Sequence, residues 1–241
     1  MKISVVTTLF NYAHFVPDAV RSFMDQVTDD VEMIIVDDAS SDDPWPVIKE
    51  ASKGDDRVRY IRLDENGGYS HAKNVGIENA KAEVLVMLDA DDMLTRDSLK
   101  KRYAKLEEGF DLVHGPVLDL RGGNLVRSKL WKQWIRSKKD AGCYRLVHAQ
   151  SVMLRKDIHR KIGLYDESLR SKSDREMWAR VFNHGFRVGW VDSDVSIYRI
   201  HGKQMHRSPE KAKINDKLQK AVLAKIKKRS KDLSDVRLLG D

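Results

Sequence analysis

The chain has 241 residues, with 44 Lys and Arg against 37 Asp and Glu and a formal net charge of +7. That length suits one large α/β domain or two small ones around a sizeable core. No run approaches the roughly 18 apolar residues of a membrane-spanning helix, and Cys143, the lone cysteine, excludes an internal disulfide or a multi-cysteine metal site.

The sequence opens Met1-Lys2-Ile3-Ser4 and runs straight into an apolar stretch, without the pattern of a secretory leader. A cytoplasmic location is therefore expected, with peripheral contact at the inner face of a membrane as the alternative. Short apolar runs at Ile3–Thr8, Met33–Val36, Val58–Leu63 and Val84–Leu88 read as strands. Between them, Phe15–Gln26, Pro46–Lys53 and Ser70–Ala80 read as helices, with Pro17 and Pro46 tolerated near the helix starts. This alternation predicts right-handed crossovers and a mainly parallel sheet. The runs are continuous rather than alternating, so both sheet faces are expected to be covered.

Polar residues gather where each strand ends. Thr8 and Asn11 follow the first, Asp37 and Asp38 the second, Asn66-Gly67-Gly68 the third, and Asp89, Asp91 and Asp92 the fourth. In open α/β sheets ligands bind outside the carboxyl ends of the strands, so these residues predict one shared nucleotide site. Three carboxylates within four positions repel one another and are costly to desolvate unless a cation neutralises them. An oxygen-rich site suits Mg²⁺ or Mn²⁺ bridging to substrate phosphates. The plainer reading is an acidic helix start, with a helix beginning near Thr95.

Downstream, a helix is expected at Ser98–Glu108, with strands at Leu112–His114 and Val117–Leu120. Residues 121–139 hold seven Lys and Arg and no acid, interleaved with Trp131 and Trp134. Their aromatic rings either stack on bases or sugars, rest at a lipid surface, or pack in the core. An apolar segment at Ser151–Leu154, a helix from Lys156 to Gly163 and a second helix at Asp174–His184 follow. Strands are expected at Arg187–Val191 and Val195–Tyr198. Ser173 and Glu176 have the spacing of a capping box. The Lys-rich tail repeats Ile214, Leu218, Val222 and Ile226, an amphipathic basic helix for the protein's own core, an anionic membrane or a phosphate backbone. The predicted division is a nucleotide-site half at 1–118, a second half at 119–202 carrying the basic Trp-containing segment, and a basic helical tail at 203–241.

These motifs together resemble family 2 of the glycosyltransferases, whose fold is the nucleotide-sugar-binding GT-A type. The resemblance runs over roughly residues 2–203. It rests on Ser4 to Asn11, Ile35 to Ser40, Glu65 to Gly68, Ala72 to Gly76 and Leu88 to Asp92, then Gly163 to Leu169, Ser173 to Trp178 and Tyr198 to His201. It implies an α/β GT-A sheet flanked by helices, with a smaller acceptor-side subdomain. It also implies an inverting, metal-dependent transfer from a nucleoside-diphosphate sugar, UDP-linked by preference. Asp89-Ala90-Asp91 resembles the family's Asp-x-Asp motif, with Asp89 toward ribose and Asp91 on the metal. Asp38 matches an acid at the base or ribose with Thr8 beside it, and Lys73 a basic residue near the nucleotide. His201 matches a histidine that completes the metal shell, with His206 as competitor, and imidazole favours Mn²⁺ over Mg²⁺.

Asp174 matches the catalytic base, because inversion by direct displacement needs a carboxylate to take the acceptor hydroxyl's proton. The chain departs from the family at Thr8, where proline is usual, at Ser173, where glutamate is usual, and at Arg175, where an aromatic is common. The expected acceptor is a glycan or lipid-linked glycan. The alternatives are hydroxymethylated DNA, whose bases would have to be flipped out, and a nucleotide-binding module without catalysis.

Overall fold

A computed structural model of the chain describes residues 2–26, 28, 30–127, 147–169, 172–202, 204 and 220–240. Trp131, Trp134, Cys143, His206, Ile214 and Leu218, all singled out above, lie outside the described residues. The first half alternates as expected: β1 (Ile3–Leu9), α1 (Val16–Met24), β2 (Val31–Asp37), α2 (Trp45–Ser52), β3 (Val58–Arg62), α3 (Tyr69–Asn79) and β4 (Val84–Asp89). β1 and β2 are buried at every position and β4 at all but its last, so both faces of this sheet are covered. β3 is only partly buried because it closes one edge.

Seven strands form the larger sheet in the order β10-β6-β9-β4-β1-β2-β3. Its later members are β6 (Leu112–His114), β9 (Met153–Arg155) and β10 (Val188–Trp190). All neighbours are parallel except β9, which runs antiparallel between β4 and β6. On one face Val5 and Leu9 meet Val20 and Phe23 of α1, Ile48 of α2, and Leu99 and Leu106. On the other face Val6, Ile34 and Val36 meet Ala72 and Ile77 of α3 and Trp178. Close approach matters here, since a Cβ on Gly76 would sit 2.3 Å from Cγ1 of Val6.

A second, four-stranded sheet has the order β5-β11-β7-β8, from β5 (Met93–Leu94), β7 (Val117–Arg121), β8 (Asn124–Arg127) and β11 (Ser196–Arg199). β5 corrects one expectation. The acidic run does not open a helix; it leads into a strand antiparallel to β11, and α4 (Ser98–Glu107) starts only after Asp97, whose φ is 60° and which makes no side-chain cap. A two-residue strand has no periodicity of its own, and its partner lies a hundred positions away.

The helix Ser173–Asn183 begins one residue earlier than expected, and the capping box does not form. Lys172 takes the cap position, and the buried Glu176 turns instead to Arg180 and Arg229. Residues 220–229 are helical and Val222 is buried, so this stretch of the tail packs on the protein's own core. Among the described residues no helix is long and apolar enough to cross a membrane.

Candidate active site

The parallel register brings the carboxyl ends of β1, β2 and β4 side by side, pairing Thr8 with Asp89 and Leu9 with Asp37. Asp37 and Asp38 then part company. Asp37 is fully buried and accepts from Tyr60 Oη, Arg62 Nη1 and the Ser40 amide, a structural knot at the sheet edge. Asp38 faces the site. Its two carboxylate oxygens take the amides of Gly67 (2.8 Å) and Gly68 (2.9 Å), while the Asn66 side chain donates to its carbonyl. Gly68 has φ 89°, a left-handed conformation that glycine adopts without a steric penalty, and this turns the chain into α3. Asn11 closes the neighbouring loop, accepting from the Ser41 amide and hydroxyl while its own amide donates to Ser40 Oγ. The four strand-end motifs therefore form one connected rim.

Asp89 stands on that rim with three partners. Tyr69 Oη donates at 3.0 Å, Thr8 Oγ1 lies at 3.5 Å, and Lys73 Nζ at 3.9 Å. Lys73 is fully buried, donates to Tyr69 Oη and sits 4.1 Å from the Tyr69 ring centroid and 5.2 Å from that of Tyr165. Burial pushes its pKa down, opposed by the negative charges of Asp89, Asp174 and Asp92. Lys73 thus reaches the site through Asp89 and Tyr69. Tyr69 escapes sequence reading because its neighbours in the motif are glycines and small residues, and only the fold of α3 aims it at β4.

Asp91 and His201 meet directly, His201 Nε2 lying 2.9 Å from Asp91 Oδ2 across 110 positions of sequence. His201 is seated by rings, with Phe15 at 4.6 Å and Tyr12 at 5.5 Å between centroids. Burial and then the Asp89 charge push the Asp91 carboxyl above its ordinary range, which His201 partly offsets. Asp92 is fully buried. One oxygen accepts from the Arg199 amide at 2.9 Å, the other has no hydrogen-bond partner, and burial together with Asp91 and Asp89 raises its pKa strongly. Arg199 also donates to the Asp91 carbonyl and to Asp18, tying β11 to this turn. Tyr12 is pushed up to about 12 by burial and by Asp91, Asp89 and Asp92.

Among the described residues no three His, Cys, Asp or Glu side chains converge as a metal cage made by protein alone. The donor set nevertheless fits a divalent ion shared with a ligand. Mg²⁺ and Mn²⁺ sites commonly use one or two protein donors and leave the other positions to phosphates and water. A carboxylate and an imidazole beside two further crowded acids supply that chemistry, and the raised Asp91 and Asp92 carboxyls mark a place that lacks positive charge.

Asp174 occupies the second position of the helix Ser173–Asn183. Its charge raises the pKa of the buried Tyr69 and Tyr165 and opposes the burial-driven fall at Lys73 and His148, so it belongs to the same electrostatic neighbourhood as Asp89. The fold therefore collects Thr8, Asn11, Asp38, Asn66, Gly67, Lys73, Asp89, Asp91, Asp174 and His201 around the strand ends. Sequence reading missed Tyr69, Tyr12, Arg199, Tyr165 and His148. Each is placed by a contact remote in sequence; Tyr165 and Arg199 lie inside stretches that carry the resemblance but gain no role from it, and Tyr69, Tyr12 and His148 stand in no motif.

The model of the family described as Glycosyl transferase family 2 matches residues 4–162. TuaG of Bacillus subtilis, named for teichuronic acid biosynthesis, is 26% identical over 213 residues, covering 87% of this chain and 83% of its own. A Campylobacter jejuni protein named as GalNAc(5)-diNAcBac-PP-undecaprenol beta-1,3-glucosyltransferase is 36% identical over 128 residues, 52% of this chain and 41% of that one. Among solved structures, residues 1–349 of TarS from S. aureus with UDP-GlcNAc superpose with a TM-score of 0.73 at 18% identity, covering 93% of this chain and 66% of that one. The Pyrobaculum calidifontis mannosyltransferase PcManGT with GDP-Man and Mn²⁺ gives a TM-score of 0.65 at 17% identity, covering 85% and 59%. These likenesses show the GT-A fold.

Proposed function

This chain belongs to glycosyl transferase family 2, and on that premise we propose that it moves a sugar, with inversion, from a UDP-sugar to a hydroxyl of a glycan or lipid-linked glycan. It is a glycosyltransferase, so the reading of an inactive nucleotide-binding module falls away. The observation that carries the proposal is the 2.9 Å meeting of Asp91 and His201 beside Asp89. Two side chains 110 positions apart meet just beyond the carboxyl end of β4, which in this reading faces the diphosphate. TarS with UDP-GlcNAc supports a UDP-sugar donor. The undecaprenol-linked substrate in the name of the C. jejuni relative supports a lipid-linked acceptor. None of the relatives named above carries DNA in its name, and the DNA acceptor has no support here.

In this reading residues 1–118 hold the donor and 119–202 the acceptor. Asp38 fixes the Asn66-Gly67-Gly68 loop against the nucleoside, with Thr8 and Asn11 on the same rim. Asp89, held by Tyr69 and Lys73, turns to the ribose side. Asp91 and His201 would hold Mn²⁺ or Mg²⁺, which when bound neutralises charge on the departing diphosphate. Asp174 takes the proton from the acceptor hydroxyl as that oxygen attacks the anomeric carbon.

Calorimetry of UDP with Mn²⁺ and measurement of UDP release from UDP-GlcNAc test the proposal. Asp174→Asn is expected to bind UDP normally and to lose turnover by about 10²- to 10⁴-fold, the usual range for a positioned base. A wild-type protein that with Mn²⁺ neither binds UDP nor cleaves any nucleotide sugar would end this reading.

A further inference from the structure

The family match stops at residue 162, and the C-terminal segment closes on the residues just beyond it. We propose that residues 220–240 are a clamp that positions Asp174, acting through Arg229 on Glu176. The proposal rests on Asp174 being the base.

Arg229 is 3% exposed and is the hub. Its Nη1 hydrogen-bonds Asp166 Oδ2 at 2.8 Å and forms a 3.1 Å ion pair with Glu176 Oε1 without hydrogen-bond alignment, and its Nε and Nη2 grip Asp235 at 3.1 and 3.2 Å. Glu176 is fully buried and receives Arg180 through its other oxygen, from Nε at 3.1 Å and Nη2 at 2.9 Å. Arg180 in turn donates to the carbonyls of Ile162 and Leu164. Lys225 adds a bond to Asp166, whose carboxyl burial would raise but which Lys225, Ser168 and Arg229 hold well below the usual range. The backbone is stitched as well. The Leu164 amide donates to the Arg237 carbonyl, the Leu239 amide donates to the His159 carbonyl, and the His184 ring meets the Arg229 carbonyl. A Cβ on Gly163 would meet Val236 Cγ1 at 2.0 Å, so the two segments touch without room for a side chain.

Buried ion networks contribute little net stability, because desolvation offsets the attraction, but each member fixes the geometry of the next. Besides the bonds that Asn74 makes to Tyr165 and Glu167 and the packing of Trp178 on the core, this network links three pieces to one another. They are the loop at Gly163 to Leu169 carrying Tyr165, the first turn of the helix Ser173–Asn183, and the tail. Glu176 and Asp174 share that first turn. Pulling on Glu176 therefore sets the direction in which Asp174 leaves the helix, and misplacement by about 1 Å costs on the order of 10²-fold in rate.

The test uses the full chain, comparing Arg229→Met, Glu176→Gln, Arg229→Lys and the outer-partner variant Asp235→Asn with wild type. Hydrogen exchange of peptides covering 163–178 is read beside UDP release from UDP-GlcNAc with Mn²⁺. For Arg229→Met and Glu176→Gln we expect faster exchange in 163–178 and unchanged exchange in β1 to β4. We also expect kcat lower by about 10- to 100-fold with KM for UDP-GlcNAc within about twofold. Arg229→Lys should recover part of kcat, and Asp235→Asn should stay within about threefold of wild type. Unchanged exchange in 163–178, or wild-type kcat in Arg229→Met while Asp174→Asn is inactive, overturns the clamp. If Asp174→Asn itself keeps full turnover, the base assignment fails instead, and the clamp is then decided by the exchange result alone.

Discussion

Two sets of buried carboxylates lie at opposite ends of the same parallel sheet, and they are treated in opposite ways. At the amino end Glu32 on β2 is 1% exposed and fully satisfied, by Ser4 Oγ at 2.6 Å, the Lys81 amide at 2.8 Å and Arg59 at 2.8 Å. Burial alone would raise its pKa, yet those three donors outweigh it and the carboxyl titrates lower than usual. At the carboxyl end Asp91 and Asp92 are also buried, but they crowd one another and Asp89. One Asp92 oxygen has no partner, and both residues titrate higher than usual. Low exposure with opposite shifts separates an acid satisfied by its donors from acids left short of positive charge.

Substitutions that keep shape but remove charge should break this contrast cleanly. Within this contrast the largest effect is expected for Asp91→Asn, with UDP release lowered on the order of 10²- to 10³-fold if Asp91 holds a cation shared with the diphosphate. Its thermal midpoint should stay level or rise, because a crowded charge has gone. A loss of midpoint comparable to the loss of activity would show that Asp91 is structural after all. Glu32→Gln should do the reverse. Weakening charge-assisted bonds to Ser4, Lys81 and Arg59 costs about 2 kcal/mol in denaturant unfolding, with kcat within about twofold. Tyr69→Phe probes the rim between the two extremes, since Asp89 keeps Thr8 and Lys73. About a tenfold fall in kcat/KM is expected, equal to roughly 1.4 kcal/mol.

The smallest effect is the acid limb of stability. Glu32 has a folded pKa below its unfolded value of 4.5, so its contribution is complete above that pH and is lost as the pH falls through the folded value. Below about pH 4.5 the wild-type midpoint should therefore drop more steeply than that of Glu32→Gln. Parallel curves would remove Glu32 from the account.

Much of the larger sheet was legible in the sequence. The runs at Ile3, Met33, Val58 and Val84 fall within two residues of strands β1 to β4; for β1, β2 and β4 burial on both faces favours a mostly apolar run, whereas β3 is a half-buried edge strand. The polar strand ends were legible for the same reason, since the chain turns polar where burial stops. The capping box at Ser173 was misread because local spacing favoured it, whereas Arg180 and Arg229 offered Glu176 a stronger partner than the helix amides. β5 and β8 were missed, each too short or too exposed to leave a pattern.

The sequence by itself determined the family, the alternating α/β order and which residue types stand at the strand ends, because burial and local turn chemistry are written in short-range pattern. The tertiary structure alone decided which of those residues meet. His201 reaches Asp91 because β11 runs antiparallel to β5, Tyr69 reaches Asp89 because α3 packs tightly through Gly76, and the tail reaches Glu176 because Arg229 is buried among acids from three segments. Such contacts join positions far apart in the chain. Their energy lies in desolvated charge and packing that exist only after the sheet has closed.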